Sequence, residues 1–183
     1  MSDPVVSGIV PRLNQPGGNT TGFSLSEPSL GGKRLELLWE IAPGLKRAAF
    51  MFNPDTNQSA SAYTSSFETA AWSLKVTPIT APVHSDAEIE TAITAVGREP
   101  GGGLVVLGFQ VAQRVPIILA AARNNVPAVY SNSVFVRDGG LLSYGADTVN
   151  DWRGAASYVD RILRGDKPGD LPVQLPVKYE MVT

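Results

Sequence analysis

From about residue 47 onward, short apolar runs alternate with stretches in which apolar residues recur every three or four positions. Arg47 to Phe52 reads as a buried strand that ends at Asn53-Pro54-Asp55. Tyr63, Phe67, Ala70, Ala71 and Leu74 then mark one face of a helix, and Lys75 to Thr80 alternates as a strand that stops near Pro82. Ser85-Asp86-Ala87-Glu88 has the form of a capping box, followed on one face by Ile89, Ala92, Ile93 and Val96. Gly103 to Leu107 is the most strand-like run in the chain. Val111, Val115, Ile118, Leu119 and Ala122 predict another helix face, and Pro127 to Ser131 and Leu141 to Tyr144 predict two further strands. Trp152, Ala155, Ala156, Val159 and Ile162 stripe a last helix, with Arg161 and Arg164 at its end and Gly165 as its stop.

Strand and helix alternating four times with short connections predict right-handed crossovers and an α/β fold. The expected architecture is a Rossmann-like or flavodoxin-like parallel sheet with helices on both faces. The two ends do not fit this unit. Residues 1–25 hold a helix-like piece (Val5, Ile9, Leu13), a Pro-Gly-Gly turn and a strand-like Thr20 to Leu25, while residues 171–183 form a Pro-punctuated extended tail. Both ends look like parts of a neighbouring domain.

Composition narrows the function. A net charge of −2 without a Lys/Arg cluster argues against nucleic acid as a partner. The chain has no cysteine, which excludes disulfides, thiolate chemistry and cysteine metal sites. Its first residues carry no basic segment or cleavage-like site, and no run approaches the roughly 20 apolar residues that span a bilayer. As given, the chain is expected to be cytoplasmic.

An enzyme reading finds little support. His84 is the sole histidine, in a loop, so no His-based triad or multi-histidine metal site can be assembled. Gly17 to Gly22 lacks the order of a dinucleotide fingerprint, Gly31-Gly32-Lys33-Arg34 lacks the Ser or Thr of a phosphate loop, and Gly101 to Gly103 precedes its strand. All three read as turns. The expectation is no catalytic residue, no metal and no cofactor.

A binding reading finds more. In open parallel sheets, ligands sit beyond the carboxyl ends of the strands at the point where strand order reverses. For the order 2-1-3-4-5, the loops after the first and third strands flank that point. The first runs from Asn53 through Asn57 and Ser59 into a helix whose free N–H groups suit an anion, although Asn57 or Ser59 equally fits a plain helix cap. The other offers Gly108 for close approach, Phe109 to cover a ligand or pack in a core, and Gln110 to donate and accept. Tyr130, Ser131 and Asn132 end the fourth strand on the same edge.

The landmarks also carry a resemblance. Asp3 to Val10 followed by Pro16-Gly17-Gly18-Asn19-Thr20-Thr21-Gly22-Phe23 resembles the middle of ABC-transporter substrate-binding proteins of the tryptophan/tyrosine type. Gly32 to Leu38, Ile41-Ala42-Pro43-Gly44, Phe52-Asn53-Pro54, Pro127 to Tyr130, Gly139 to Gly145 and Tyr158 to Gly165 continue it in order. The resemblance implies a type I periplasmic binding fold: two α/β lobes, a three-strand hinge, and a small molecule clamped between them for an ABC permease. Members of that family run to roughly twice this length and are periplasmic or membrane-associated.

On this alignment residues 26–140 would be ligand-binding lobe two. Residues 1–25 would be a lobe-one remnant with a hinge strand, and 141–183 the hinge return, a lobe-one helix and the tail. Ligand-facing positions would be Asn53, Asn57, Ser59, Gly108, Phe109 and Ser131, with Asp3 and Tyr144 near the hinge. Aromatic amino-acid binders of the family carry a Thr-rich segment after the third strand and an acidic residue after the fourth. This chain has Phe109-Gln110-Val111-Ala112 and Ser131-Asn132 instead, so both an amino acid and a small organic anion stay open as ligand. Two alternatives remain beside this reading: an enzyme on a flavodoxin-like sheet, and a truncated fragment that binds nothing. A chain lacking most of lobe one is expected to pair as a homodimer through its two ends.

Overall fold

The computed structural model of the chain describes residues 3–57, 59–108 and 111–183. The chain divides into two compact units, one of Pro28–Gly145 with Glu180–Thr183 and one of Met1–Glu27 with Ala146–Tyr179.

In the larger unit, helix α1 (Leu30–Ile41) leads into β1 (Arg47–Phe52), α2 (Ala60–Leu74), β2 (Thr77–Pro82), α3 (Asp86–Gly97) and β3 (Gly102–Val106). A short 3-10 turn precedes α4 (Arg114–Arg123), followed by β4 (Ala128–Tyr130), the four-residue α5 (Val134–Arg137) and β5 (Leu142–Ala146). With β6 (Tyr179–Val182) the strands order as β2-β1-β3-β4-β5-β6, and β1 to β5 run parallel. This is the α/β layer structure that the alternating pattern predicts, and the strand order reverses between β1 and β3.

Period-two alternation assigns each strand residue to a face. Phe50, Val105, Leu107 and Val129 point to the side covered by α1 and α2, where they meet Leu35, Leu38, Tyr63 and Phe67. Met51, Leu104, Val106 and Tyr130 point to the other side, against Ile89 and Ile93 of α3 and Ile117 of α4. Because both faces are covered, the strands read as continuous apolar runs. The α3 cap forms as its sequence demands: Ser85 Oγ accepts from the Glu88 amide at 3.3 Å. Glu88 returns its carboxylate to the His84 amide, one residue before the usual position, at 2.7 Å.

Several expectations are corrected. Gly31 and Gly32 lie inside α1 rather than in a turn: a Cβ on Gly31 would stand 2.4 Å from the Tyr63 carbonyl oxygen, so the two glycines let α1 approach α2 closely. On α4 the buried residues are Ile117, Ile118, Ala120 and Ala121, while Val115 and Leu119 are exposed. The 3-10 turn at Val111–Gln113 breaks the helical phase there, so a stripe counted straight from Val111 selects the wrong face.

The terminal unit is built from both chain ends and α6 (Thr148–Leu163). Val5 to Leu13 form turns rather than a helix, interrupted by Pro4, Pro11 and a left-handed Gly8 (φ 68°). Thr20 to Leu25 is extended but makes a single parallel bridge, Phe23 to Gln174, flanked by Ser24 N to Gln174 O at 2.8 Å and Gln174 N to Gly22 O at 2.9 Å. Phe23 meets Tyr158 of α6 edge-on at 5.1 Å. Gly154 lies under the same ring, where a Cβ would come within 2.5 Å of it. The α6 stripe is present, yet Trp152, Val159 and Leu163 are exposed. Among the described residues, no helix is long and apolar enough to cross a membrane.

Candidate functional site

The carboxyl edge of the larger unit's sheet brings together the exits of β1, β3 and β4. After β1, Asn53 Oδ1 accepts from the Asp55 amide at 2.8 Å and turns the chain back towards α2. Asn57 and Ser59 are then buried just ahead of the helix. Neither side chain caps α2. Ser59 Oγ donates to Asn57 Oδ1 at 3.3 Å, and the other end of the Asn57 amide is buried without a partner. The capping role that suffices to explain these residues in the sequence is therefore not the one they perform.

Beyond β3 and β4, Gly108 faces Ser131. A Cβ on Gly108 would lie 2.4 Å from Ser131 Oγ, and one on Gly145 of β5 would lie 2.2 Å from the Ser131 carbonyl oxygen. The β4 exit is thus seated between two glycines on its neighbouring strands. Its Oγ is buried and has no partner. Phe109 and Gln110 lie outside the described residues. Tyr130 does not join this edge: it is 1 % exposed, stacks on Phe135 at 4.6 Å, and burial pushes its phenol up to about 12. Asn132 is occupied in starting α5, accepting from the Val134 amide at 2.9 Å.

Register places Tyr144 one step beyond the Tyr130–Ser143 pair, level with Ser131. Its carbonyl accepts from Arg34 Nε of α1 at 2.8 Å. Arg34 is 3 % exposed and its Nη1 is buried without a partner. Burial pulls the guanidinium down to about 10, partly offset by the neighbouring Tyr63 and Tyr144, so it stays charged at neutral pH. The sequence reading missed Arg34. Its signal was there, because Leu30, Arg34 and Leu38 share one stripe at helical spacing and Leu30 and Leu38 are core residues.

Asp3 belongs to the terminal unit, where its carboxylate accepts from the Val5 and Val6 amides at 2.9 and 3.1 Å. His84, just beyond β2, is half exposed beside Glu88, with Nδ1 to Oε2 at 3.1 Å, and its Nε2 lies 3.9 Å from Asp55 Oδ2. No group of three or more His, Asp and Glu among the described residues is arranged to hold a metal ion. Partnerless polar atoms at the mouth of a rigid parallel sheet suit a ligand held by hydrogen bonds.

The family model of ABC transporter substrate binding proteins matches residues 1–182. The chain belongs to that family. A tyrosine-binding protein of Clostridioides difficile is 26 % identical over 188 residues, which span 100 % of this chain and 52 % of that protein. The crystal structure of a conserved domain protein from Vibrio cholerae has a TM-score of 0.82 at 27 % identity, covering 98 % of this chain and 60 % of its own. The ABC domain from Streptococcus pneumonia in complex with L-Trp has a TM-score of 0.83 at 22 % identity, covering 98 % and 62 %. A LacI family transcriptional regulator from Bifidobacterium animalis shares the type I periplasmic binding fold at a TM-score of 0.66. The chain thus spans between about half and three fifths of the length of these first three relatives.

Proposed function

We propose that this chain is the second lobe, with hinge and lobe-one segments, of the solute-binding component of an ABC import system. It binds a small molecule, an amino acid or small organic anion, rather than converting one. The observation that carries this reading is the set of partnerless buried polar groups on Asn57, Ser131 and Arg34 at the edge where the strand order reverses. The contacts are made by Asn53, Asn57, Ser59, Gly108, Phe109 and Ser131, with Asp3 and Tyr144 towards the hinge. Relatives named for tyrosine and for L-Trp support a solute of that size.

Lobe two is assigned to residues 26–140, with 1–25 and 141–183 assigned to the hinge and lobe one. The separation of a compact unit at Pro28–Gly145 from one built of Met1–Glu27 and Ala146–Tyr179 supports this division. A permease is the partner of the full-length protein, which is periplasmic or membrane-associated. The exposed Trp152, Val159 and Leu163 stripe supports pairing of two copies when the chain stands alone. Light scattering at micromolar concentration tests this, and a monodisperse monomer rejects it.

The solute reading is tested by thermal unfolding against amino acids, short peptides and small organic anions, on this chain and on a polypeptide of its relatives' length. A ligand that binds the native state raises the melting temperature by mass action. A response of the longer form, weak or missing in this chain, is the expected result because one lobe desolvates a ligand only in part. Silence of both forms across all classes rejects solute binding and reopens enzymatic chemistry on the same sheet.

A further inference from the structure

We propose that Arg34 makes the solute site of the larger unit selective for a ligand carrying an anionic oxygen group, with a small organic carboxylate as the class it fits. The proposal rests on the solute-binding reading and deepens it. Arginine is almost never fully buried unless it is paired, because an uncompensated buried charge is expensive. Arg34 is buried, donates through Nε to the Tyr144 carbonyl, and leaves Nη1 with nothing. Among the described residues of the larger unit it is the one buried charged side chain: the other buried polar residues there are Asn57, Ser59 and Ser143. Three acids that follow β1, β2 and α5 are engaged elsewhere, Asp55 and Glu88 beside His84 and Asp138 with Arg114.

Placement turns this unbalanced charge into recognition. Chain direction puts the start of α1 at the carboxyl edge, since its end leads into the start of β1. The carbonyl that Arg34 holds belongs to Tyr144, level with Ser131, and adjacent parallel strands stand about 4.8 Å apart. The positive charge therefore lies one strand from the partnerless Ser131 hydroxyl, on the edge where the solute is read. Among the described residues of the larger unit no buried carboxylate accompanies it, so the buried groups there offer a counter-ion for an acid and none for an ammonium.

The test uses matched probes on indole and aliphatic skeletons: the carboxylic acid alone, the amino acid, the amine alone and the neutral amide, with a phosphate ester of each alcohol. Dissociation constants are measured for the polypeptide at its relatives' length, with this chain alongside, and for Arg34→Met and Arg34→Gln. Acid-bearing probes are expected to bind while amines and amides do not, and the phosphate arm tells a carboxylate site from a general oxyanion site. Both variants should weaken acid binding by roughly 30-fold or more. Arg34→Met should also raise the melting temperature of the ligand-free protein, because a buried unpaired charge is replaced by an apolar side chain of similar length. Equal binding of acids and amides, unchanged acid affinity in Arg34→Gln, or a lower ligand-free melting temperature in Arg34→Met would each overturn the proposal while leaving solute binding intact. Failure of every probe on the unmutated protein would remove both readings together.

Discussion

Helices α2 and α6 are of nearly equal length, 15 and 16 residues, and both carry an apolar stripe in the sequence. In the larger unit α2 buries Tyr63, Phe67 and Ala71 against a sheet and against α1. In the terminal unit α6 buries Asp151 alone, and Trp152 is 76 % exposed. The difference is not in the helices but in what each finds to cover it. An amphipathic stripe states that a face needs a partner, and it does not state whether the partner is in the same chain.

The comparison can be broken most directly at its two extremes. Phe67→Ala removes a 1 %-exposed ring that packs on Phe50 at 5.0 Å, and should cost about 3–5 kcal/mol in urea unfolding followed by circular dichroism. In the chain diluted until it is monomeric, Trp152→Ala should stay within about 0.5 kcal/mol in the same assay, whereas in a pair of copies it should cost more. A loss of several kcal/mol at Trp152 in the monomeric chain would mean that the α6 face is covered within the chain, and the contrast between the units would fail.

Helix packing sharpens it next. Gly31→Ala improves helix propensity yet drives a Cβ into the Tyr63 carbonyl, so a net loss of about 1–3 kcal/mol is expected. Loss of the α3 cap in Ser85→Ala should cost about 1 kcal/mol, measured the same way.

The smallest effect separates the units by pH. Asp151 is 7 % exposed with one carboxylate oxygen lacking a partner, and burial, then Asp147, holds its pKa above the usual 3.8. For an acid whose folded pKa is raised, the folded state holds its proton longer than the unfolded state, so stability falls as pH rises through that window. Asp151→Asn should therefore melt slightly above the parent at neutral pH and match it in acid. A gain that persists unchanged at low pH would show that the carboxyl's charge is not the cause.

Much of the fold was legible because local rules and packing agree. The runs at Arg47–Phe52 and Gly103–Leu107 are apolar on both faces and could serve only as buried parallel strands, and Ser85 with Glu88 announced α3 unaided. The reading slipped where one physical event interrupts a period. The 3-10 turn before α4 shifts the helical phase, and Pro4, Gly8 and Pro11 dismantle a helix that Val5, Ile9 and Leu13 imitate. In the site, Asn57 and Ser59 could be named from position at a helix start, but cap and ligand contact look alike in one dimension. That neither residue caps α2 is known only from their hydrogen bonds.

By itself the sequence determined the alternation of strand and helix, the parallel sheet, the edge to which polar loops return and the family to which the chain belongs. These follow from periodicity, turn chemistry and residue order, which are local properties. Tertiary structure alone decided which polar atoms go without partners, that Ser131 sits between Gly108 and Gly145, and that Arg34 is buried with no acid beside it. Burial and pairing depend on residues far apart in the chain, here α1, β4 and β5, and no local pattern records their meeting.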